Sequence, residues 1–237
     1  MRFYTYFLCC LMLLSCEGTE KEKHSKAPEE SSEQLEQTLI EEMPTISIPE
    51  GMKLLGEAEG DLNKDGMPER VHVYDTGKEV EMGTKRMLYV YQANGDNWEV
   101  WHKSSGAVLP SQHGGMMGDP FEAVRIERGS IVIDHFGGSR EKWNYTHRFR
   151  YQKGAFELIG ASVRFGAPCD YWDHFDYNLS TGRIDIKMEK EDCDNEENNK
   201  EKAFTFTEKK EKLPQMEGFY PGNNEVSHSE SGASFYY

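Results

Sequence analysis

WNYTHRFRY, residues 143–151, decides the fold class. Trp143, Tyr145, His147, Phe149 and Tyr151 fall on one side of an extended chain, and Asn144, Thr146, Arg148 and Arg150 on the other. Only a period of two separates the aromatic from the polar set, because successive side chains of a strand point to opposite faces. A helix would mix them. The segment is therefore a strand with one dry, aromatic face.

The same reading extends outward in both directions. Val71 and Val73 alternate with His72 and Tyr74, and Met87, Tyr89 and Tyr91 alternate with Leu88 and Val90. Trp98 with Val100, Val124 with Ile126, and Ile131 with Ile133 repeat the pattern. Turn residues stand between the runs at Asn94-Gly95-Asp96, Arg128-Gly129, Lys153-Gly154 and Thr181-Gly182. Turns about ten residues apart between alternating runs are the mark of antiparallel meanders. No long stretch carries helical periodicity, and no strict repeat is visible. The expectation is an all-β domain over residues 49–221, built of antiparallel meander sheets, either propeller-blade-like or a sandwich. Residues 222–237, NNEVSHSESGASFYY after a glycine, are expected as a flexible tail, with the two final tyrosines free to dock.

The N-terminal end has a different composition. Arg2 precedes a short apolar run, Phe7–Leu14, too brief to cross a bilayer as a helix but suited to a secretory signal. The run closes on Leu13-Leu14-Ser15-Cys16, which resembles a bacterial lipobox. That resemblance implies removal of residues 1–15 as a signal peptide and lipidation of Cys16. Residues 16–48 follow as the lipidated cysteine and a disordered tether rich in Glu, Lys, Ser and Gln, which cannot bury enough surface to fold. As a coil it reaches roughly 30 Å. Acidic residues directly after the cysteine resemble the surface-export signal of some Gram-negative lipoproteins. The expected address is a bacterial cell envelope, anchored to the outer membrane and either periplasmic or surface-exposed.

Charge narrows the partners. The net charge is −15, and loss of residues 1–15 takes Arg2 and no acid, leaving −16. Such a chain repels phosphate backbones, so nucleic acid is excluded as a partner and the lipid, not a basic patch, makes the membrane contact. Of five cysteines, Cys9 and Cys10 leave with the signal and Cys16 carries lipid. Cys169 and Cys193 remain as a pair in a compartment that permits a disulfide. Closing that loop stabilises the fold by about 3 kcal/mol on the chain-entropy estimate.

GDLNKDGMPERV, residues 60–71, spaces Asp61, Asn63 and Asp65 at alternate positions, turns on Gly66, and continues through the Met67 carbonyl to Glu69. Hard oxygens on such a frame suit calcium. The front matches an EF-hand loop, but position twelve is His72 instead of Glu, and Pro68 with Val71 and Val73 begins a strand, not a helix. These dozen residues resemble the calcium loops of FG-GAP and VCBS-type repeats, as in integrin α-chain propellers, where the turn runs straight into a strand. Glu69 stands where that family usually has Asp, and only one copy is present. The resemblance implies a structural Ca²⁺ held by Asp61, Asn63, Asp65, Met67 and Glu69. An Asx-rich turn that needs no ion is the other reading. More broadly the chain resembles a group of uncharacterised exported bacterial proteins, a likeness that names no activity.

Two further segments are candidate ligand contacts. HGGMMGDPF, from His113 through Asp119 to Phe121, sets glycines around two methionines, so its backbone can approach a ligand closely; a plain connecting loop is the alternative. CDYWDHFDY, 169–177, gathers Asp170, Trp172, Asp173, His174 and Asp176, and is expected as an aromatic-rich loop. His147 is expected as a core histidine, and the outward Arg148 and Arg150, beside Arg140, as partners of neighbouring acids. No Gly-x-Ser-x-Gly or His-Glu-x-x-His is present. The leading expectation is a binding protein for a protein or small polar ligand. An envelope hydrolase using the 170–176 carboxylates and histidine is the alternative, and a structural part of a lipoprotein complex is a third. Convergence of those acids with His113 or His135 would favour the enzyme; an aromatic patch would favour binding.

Overall fold

The computed structural model describes residues 44–237. The expected signal peptide, the expected lipidation site Cys16 and the expected tether up to residue 43 lie outside the described residues. Four strands, β1 (Lys53–Gly60), β2 (Glu69–Val80), β3 (Gly83–Asn94) and β4 (Asn97–Ser104), pair in sequence order as one antiparallel sheet. Seven more make a second meander: β5 (Phe121–Ile126), β6 (Ser130–Gly138), β7 (Lys142–Gln152), β8 (Ala155–Ala167), β9 (Tyr171–Asn178), β10 (Arg183–Lys190) and β11 (Lys200–Thr207). A hairpin, β12 (Glu225–His228) and β13 (Ala233–Tyr236), ends the chain. Among the described residues no helix is long and apolar enough to cross a membrane.

The two sheets share one core. Val71, Val73, Leu88 and Val90 from the smaller sheet belong to the same buried cluster as Ile131, Ile133, Phe149, Phe156 and Leu158 from the larger. The arrangement is thus the sandwich of the two architectures expected. β7 carries the alternation that the sequence displays: His147 and Phe149 are fully buried, and Asn144 on the opposite face is exposed. The turns fall where glycine stands. Arg128-Gly129 and Lys153-Gly154 both take positive φ at two successive residues (52° and 68°, 53° and 84°), the twist that two-residue hairpins need.

Two expectations are corrected. Val100 is exposed, not buried beside Trp98. The β3–β4 register shifts between Val90 and Tyr91, leaving Trp101 unpaired. That bulge turns Trp101 inward, its ring 4.3 Å from Tyr151 and 5.4 Å from Phe156. The second correction is larger. Residues 222–237 are not a flexible tail but a docked hairpin, with Val226, Phe235 and Tyr237 each at most 3% exposed. Phe235 stacks on Phe175 at 4.4 Å, and Tyr237 meets Tyr177 edge-on at 5.5 Å. Its core residues are separated by Ser, His, Glu and Gly, so no apolar run announces it. The hairpin covers the part of the larger sheet that the four-stranded sheet does not reach.

β2 is buried on both faces. Val71 and Val73 enter the main core, while Tyr74 joins Tyr91 and Ile46 in a small second cluster. There the hydroxyls are satisfied: His72 Nδ1 lies 2.7 Å from the Tyr74 hydroxyl, which lies 3.1 Å from that of Tyr91.

Candidate functional site

The loop from Asp61 to Pro68 joins β1 to β2, and its sequence explains its shape. Leu62 is 1% exposed and plugs the core. Lys64 and Gly66 take positive φ (69° and 88°). Between them the oxygens fold inward onto the backbone. Asp61 accepts the Lys64 and Gly66 N–H groups at 2.6 and 3.2 Å, Asn63 accepts that of Asp65 at 2.8 Å, and Asp65 accepts that of Met67 at 2.8 Å. Glu69, the first residue of β2, is buried and accepts the Leu62 N–H at 2.7 Å.

All the residues expected as ligands are therefore in one network, Met67 through its N–H. The Asn63 amide donates to both Asp65 (2.7 Å) and Glu69 (2.9 Å), so two carboxylates share one neutral donor. Burial, then repulsion from Asp65 and Asp61, holds the Glu69 carboxyl above its usual range against the Leu62 hydrogen bond. Among the described residues no three His, Cys, Asp or Glu side chains stand as a ready ligand group. The donor set is hard oxygen on a flexible turn and fits calcium in chemistry; the loop as it stands satisfies its oxygens with N–H groups instead.

The 169–177 segment is not a loop. Tyr171–Asn178 is β9, an interior strand paired with both β8 and β10, and the disulfide Cys169–Cys193 (Cα–Cα 5.0 Å) clips its start to the chain after β10. The alternation that makes it a strand also divides its chemistry. Trp172, His174 and Asp176 face outward; Tyr171, Asp173, Phe175 and Tyr177 face the core side. The outward groups are already engaged. His174 lies 3.0 Å from Glu189, Asp176 accepts from Ser162 at 3.0 Å, and Asp170 holds Arg140 at 2.7 Å. The Arg164 guanidinium sits 4.0 Å over the Trp172 ring. The outward Arg148 likewise pairs with Glu127 at 3.1 Å, and Arg150 bonds Gln152 at 3.0 Å.

The Gly-rich segment is a fastened connection. Asp119 bonds the buried Arg86 of β3, which also holds Asp75. Removing that arginine would leave two carboxylates facing each other, and nothing in the sequence marks it as a keystone. His113 is half-buried, its Nδ1 3.3 Å from the Tyr220 hydroxyl, and burial lowers its basicity. Gly138 donates to the Gly114 carbonyl at 2.9 Å, tying the segment to β6. Met116 and Met117 are exposed at its tip.

What the fold does assemble is a cleft on the core side of β7–β9, closed on one flank by β13. Cross-strand register sets Gly137, Trp143, Phe165 and Asp173 in one row and His135, Tyr145, Val163 and Phe175 in the next. Gly137 is required there, since a Cβ would meet the Trp143 indole at 2.2 Å. The cleft measures about 350 Å³ and is lined by Trp143, Tyr145, Phe165, Phe175, Tyr236 and Asp173. Trp143 and Tyr145 lie 5.0 Å apart. Among the described residues Asp173 has neither ion pair nor hydrogen bond, and burial raises its pKa, with His174 on the opposite face opposing weakly. Sequence reasoning singled out Asp173 and the aromatic face of β7 separately. It left the two final tyrosines free to dock but did not place Tyr236 here, some ninety residues from Trp143. Comparison with known protein families, curated proteins and solved structures finds no match to this chain.

Proposed function

We propose that the chain is a lipid-anchored protein of the bacterial cell envelope, held to the outer membrane through Cys16, that binds a small polar ligand or a protein partner. The observation that carries the binding reading is the aromatic cleft with a single carboxylate, Asp173, that has no partner among the described residues. The address rests on the sequence alone, on the apolar run 7–14 ending in Leu13-Leu14-Ser15-Cys16. The hydrolase reading finds less support. Strand alternation puts Asp173 on one face of β9 and His174 with Asp176 on the other, and those outward groups have partners of their own.

The test follows the emission of Trp143 while the mature chain is titrated with envelope sugars, peptides and amines, beside a Trp143→Phe variant that isolates its signal from the other three tryptophans. A ligand that shifts wild-type emission but not that of the variant, with no product formed, is the expected result. Turnover of any of these compounds would replace binding by hydrolysis, and silence throughout would remove the cleft as the contact surface.

The same reading includes calcium at the 61–69 loop, in a structural role. An ion shared by Asp65 and Glu69 would relieve the repulsion around a buried carboxylate and pin the start of β2. At about 100 times its dissociation constant, calcium should stabilise the native state by roughly 2.7 kcal/mol, and Asp65→Ala should abolish the gain. Thermal midpoints with calcium and with EDTA that coincide would make the loop an Asx turn that needs no metal.

A further inference from the structure

We infer that the cleft beside Asp173 is a site for a methylated, quaternary ammonium cation. The inference rests on the binding reading above and gives the ligand a chemical class.

The lining decides the class. Trp143, Tyr145, Phe165 and Tyr236 line the space with aromatic side chains, and the face of such a ring carries negative quadrupole charge that attracts a cation placed over it; Phe175 forms the floor, stacked on Phe235. The one ionisable carboxylate among the lining groups is Asp173, with no ion pair or hydrogen bond among the described residues to neutralise it. In the paired strands beyond it, Met188 stands opposite Asp173, and Lys202 comes only after Met188. Lys202 is exposed, and at the usual strand spacing lies about 10 Å across the sheet. A bound cation would meet an uncompensated carboxylate in a partly dry setting. An anionic ligand would meet repulsion from Asp173 and from a chain of net charge −15.

Methylation follows from the balance of the lining, which is mostly aromatic ring with one carboxylate. A primary ammonium carries three N–H donors and loses stability where they face rings in place of oxygens. The Ser234 hydroxyl donates to Glu225 at 2.6 Å and the Tyr236 hydroxyl is engaged with Glu225 as well, so both are held at the β12–β13 flank of the cleft. A quaternary nitrogen has no N–H to satisfy, presents methyl groups to the rings, and needs only the opposite charge. A volume of about 350 Å³ is near the lower end for small-molecule pockets, which suits a compact head group.

The test uses the mature chain, choline as the probe, and 3,3-dimethyl-1-butanol, its uncharged isostere, as the control. Choline should bind saturably and tighter than the isostere by roughly tenfold or more, as expected for a desolvated cation–π contact with a carboxylate nearby. Asp173→Asn should weaken choline and leave the isostere unchanged, whereas Tyr236→Ala, at a half-exposed ring that supports no core packing, should weaken choline by a larger factor than the isostere. Equal binding of the two probes, or binding of choline that both variants retain, overturns the inference. If an uncharged compound alone shifts Trp143 emission, the cleft remains the binding site and the cation is wrong. Silence toward choline, the isostere and the wider titration removes both.

Discussion

A chain ending at residue 221 should fail to fold. The deleted segment carries Val226, Ala233, Phe235 and Tyr237 into the core, and it covers Phe175, Tyr177 and Phe206 of the larger sheet. Burying one large apolar side chain contributes about 1.5–3 kcal/mol. Losing these residues and uncovering their partners therefore removes on the order of 10 kcal/mol, comparable with the whole stability of a domain. Thermal unfolding of residues 46–221 against 46–237, followed by near-ultraviolet circular dichroism, makes the comparison. A cooperative transition within a few degrees of the longer chain would show the hairpin to be dispensable. The single change Tyr237→Ala should destabilise by about 3–5 kcal/mol, as for other large aromatic truncations in cores, and gives a graded result if the deletion merely aggregates.

Acidification should be the second large effect. His135 and His147 are completely buried between the sheets. Burial, reinforced by repulsion from neighbouring histidines, pushes His135 down to about 3 and His147 well below its ordinary value. The groups that face them are apolar or neutral. His135 accepts the Leu109 N–H at 3.2 Å and meets Phe121; His147 packs on Tyr145 and Phe219 with neither ring nitrogen bonded. His113 is the nearby titratable group on the connecting segment, and burial depresses it as well. Both rings are thus neutral in the fold, while in the unfolded chain they take a proton at the ordinary 6.5. Stability is fully present above that value and falls as the pH drops below it, continuing toward about 3 for His135. At about pH 5 a histidine that stays neutral, as His135 does, removes about 2 kcal/mol relative to neutral pH, and His147 acts in the same direction. Glu69 and Asp173, whose carboxyls are raised by burial, act with the opposite sign but only nearer the carboxylate range. Denaturant midpoints at the two pH values measure the drop. His147→Leu should reduce it and raise stability at neutral pH, because two unbonded buried nitrogens disappear. An unchanged slope in that variant would place the acid sensitivity elsewhere.

What could be read beforehand follows from how locally each feature is encoded. The strand 143–151, the hairpin turns at Arg128-Gly129 and Lys153-Gly154, and the Cys169–Cys193 bridge are each written in a few adjacent residues or in a count, and all stand in the fold. β9 was also legible, since Tyr171, Asp173, Phe175 and Tyr177 keep a period of two. Its interleaved polar members nonetheless give it the composition of a loop, and alternation, not composition, is what decides. The hairpin β12–β13 was not legible. Its strands have four residues each, and their burial comes from contact with Phe175 and Tyr177 rather than from any periodicity of their own. The cleft was legible only in parts: register places Phe165 beside Asp173, but nothing local brings Tyr236 to Trp143. Arg86 is the extreme case, a lone arginine whose two acid partners become apparent only once the connecting segment has crossed the sheet.

Placing Tyr237 inside the core has a consequence for the order in which the molecule is made. The two meanders join neighbours in sequence, so strands can pair one after another as the chain emerges, each new edge waiting briefly for the next. Among the described residues the surface of β9–β11 is covered last, by the hairpin β12–β13, which follows every strand of both sheets. Until that hairpin is available, Phe175 and Tyr177 stay uncovered and the core stays open. Completion therefore waits on a segment that comes after all the strands it closes. An unfinished chain remains loose enough to be moved, and it also displays the apolar surface that chaperones hold.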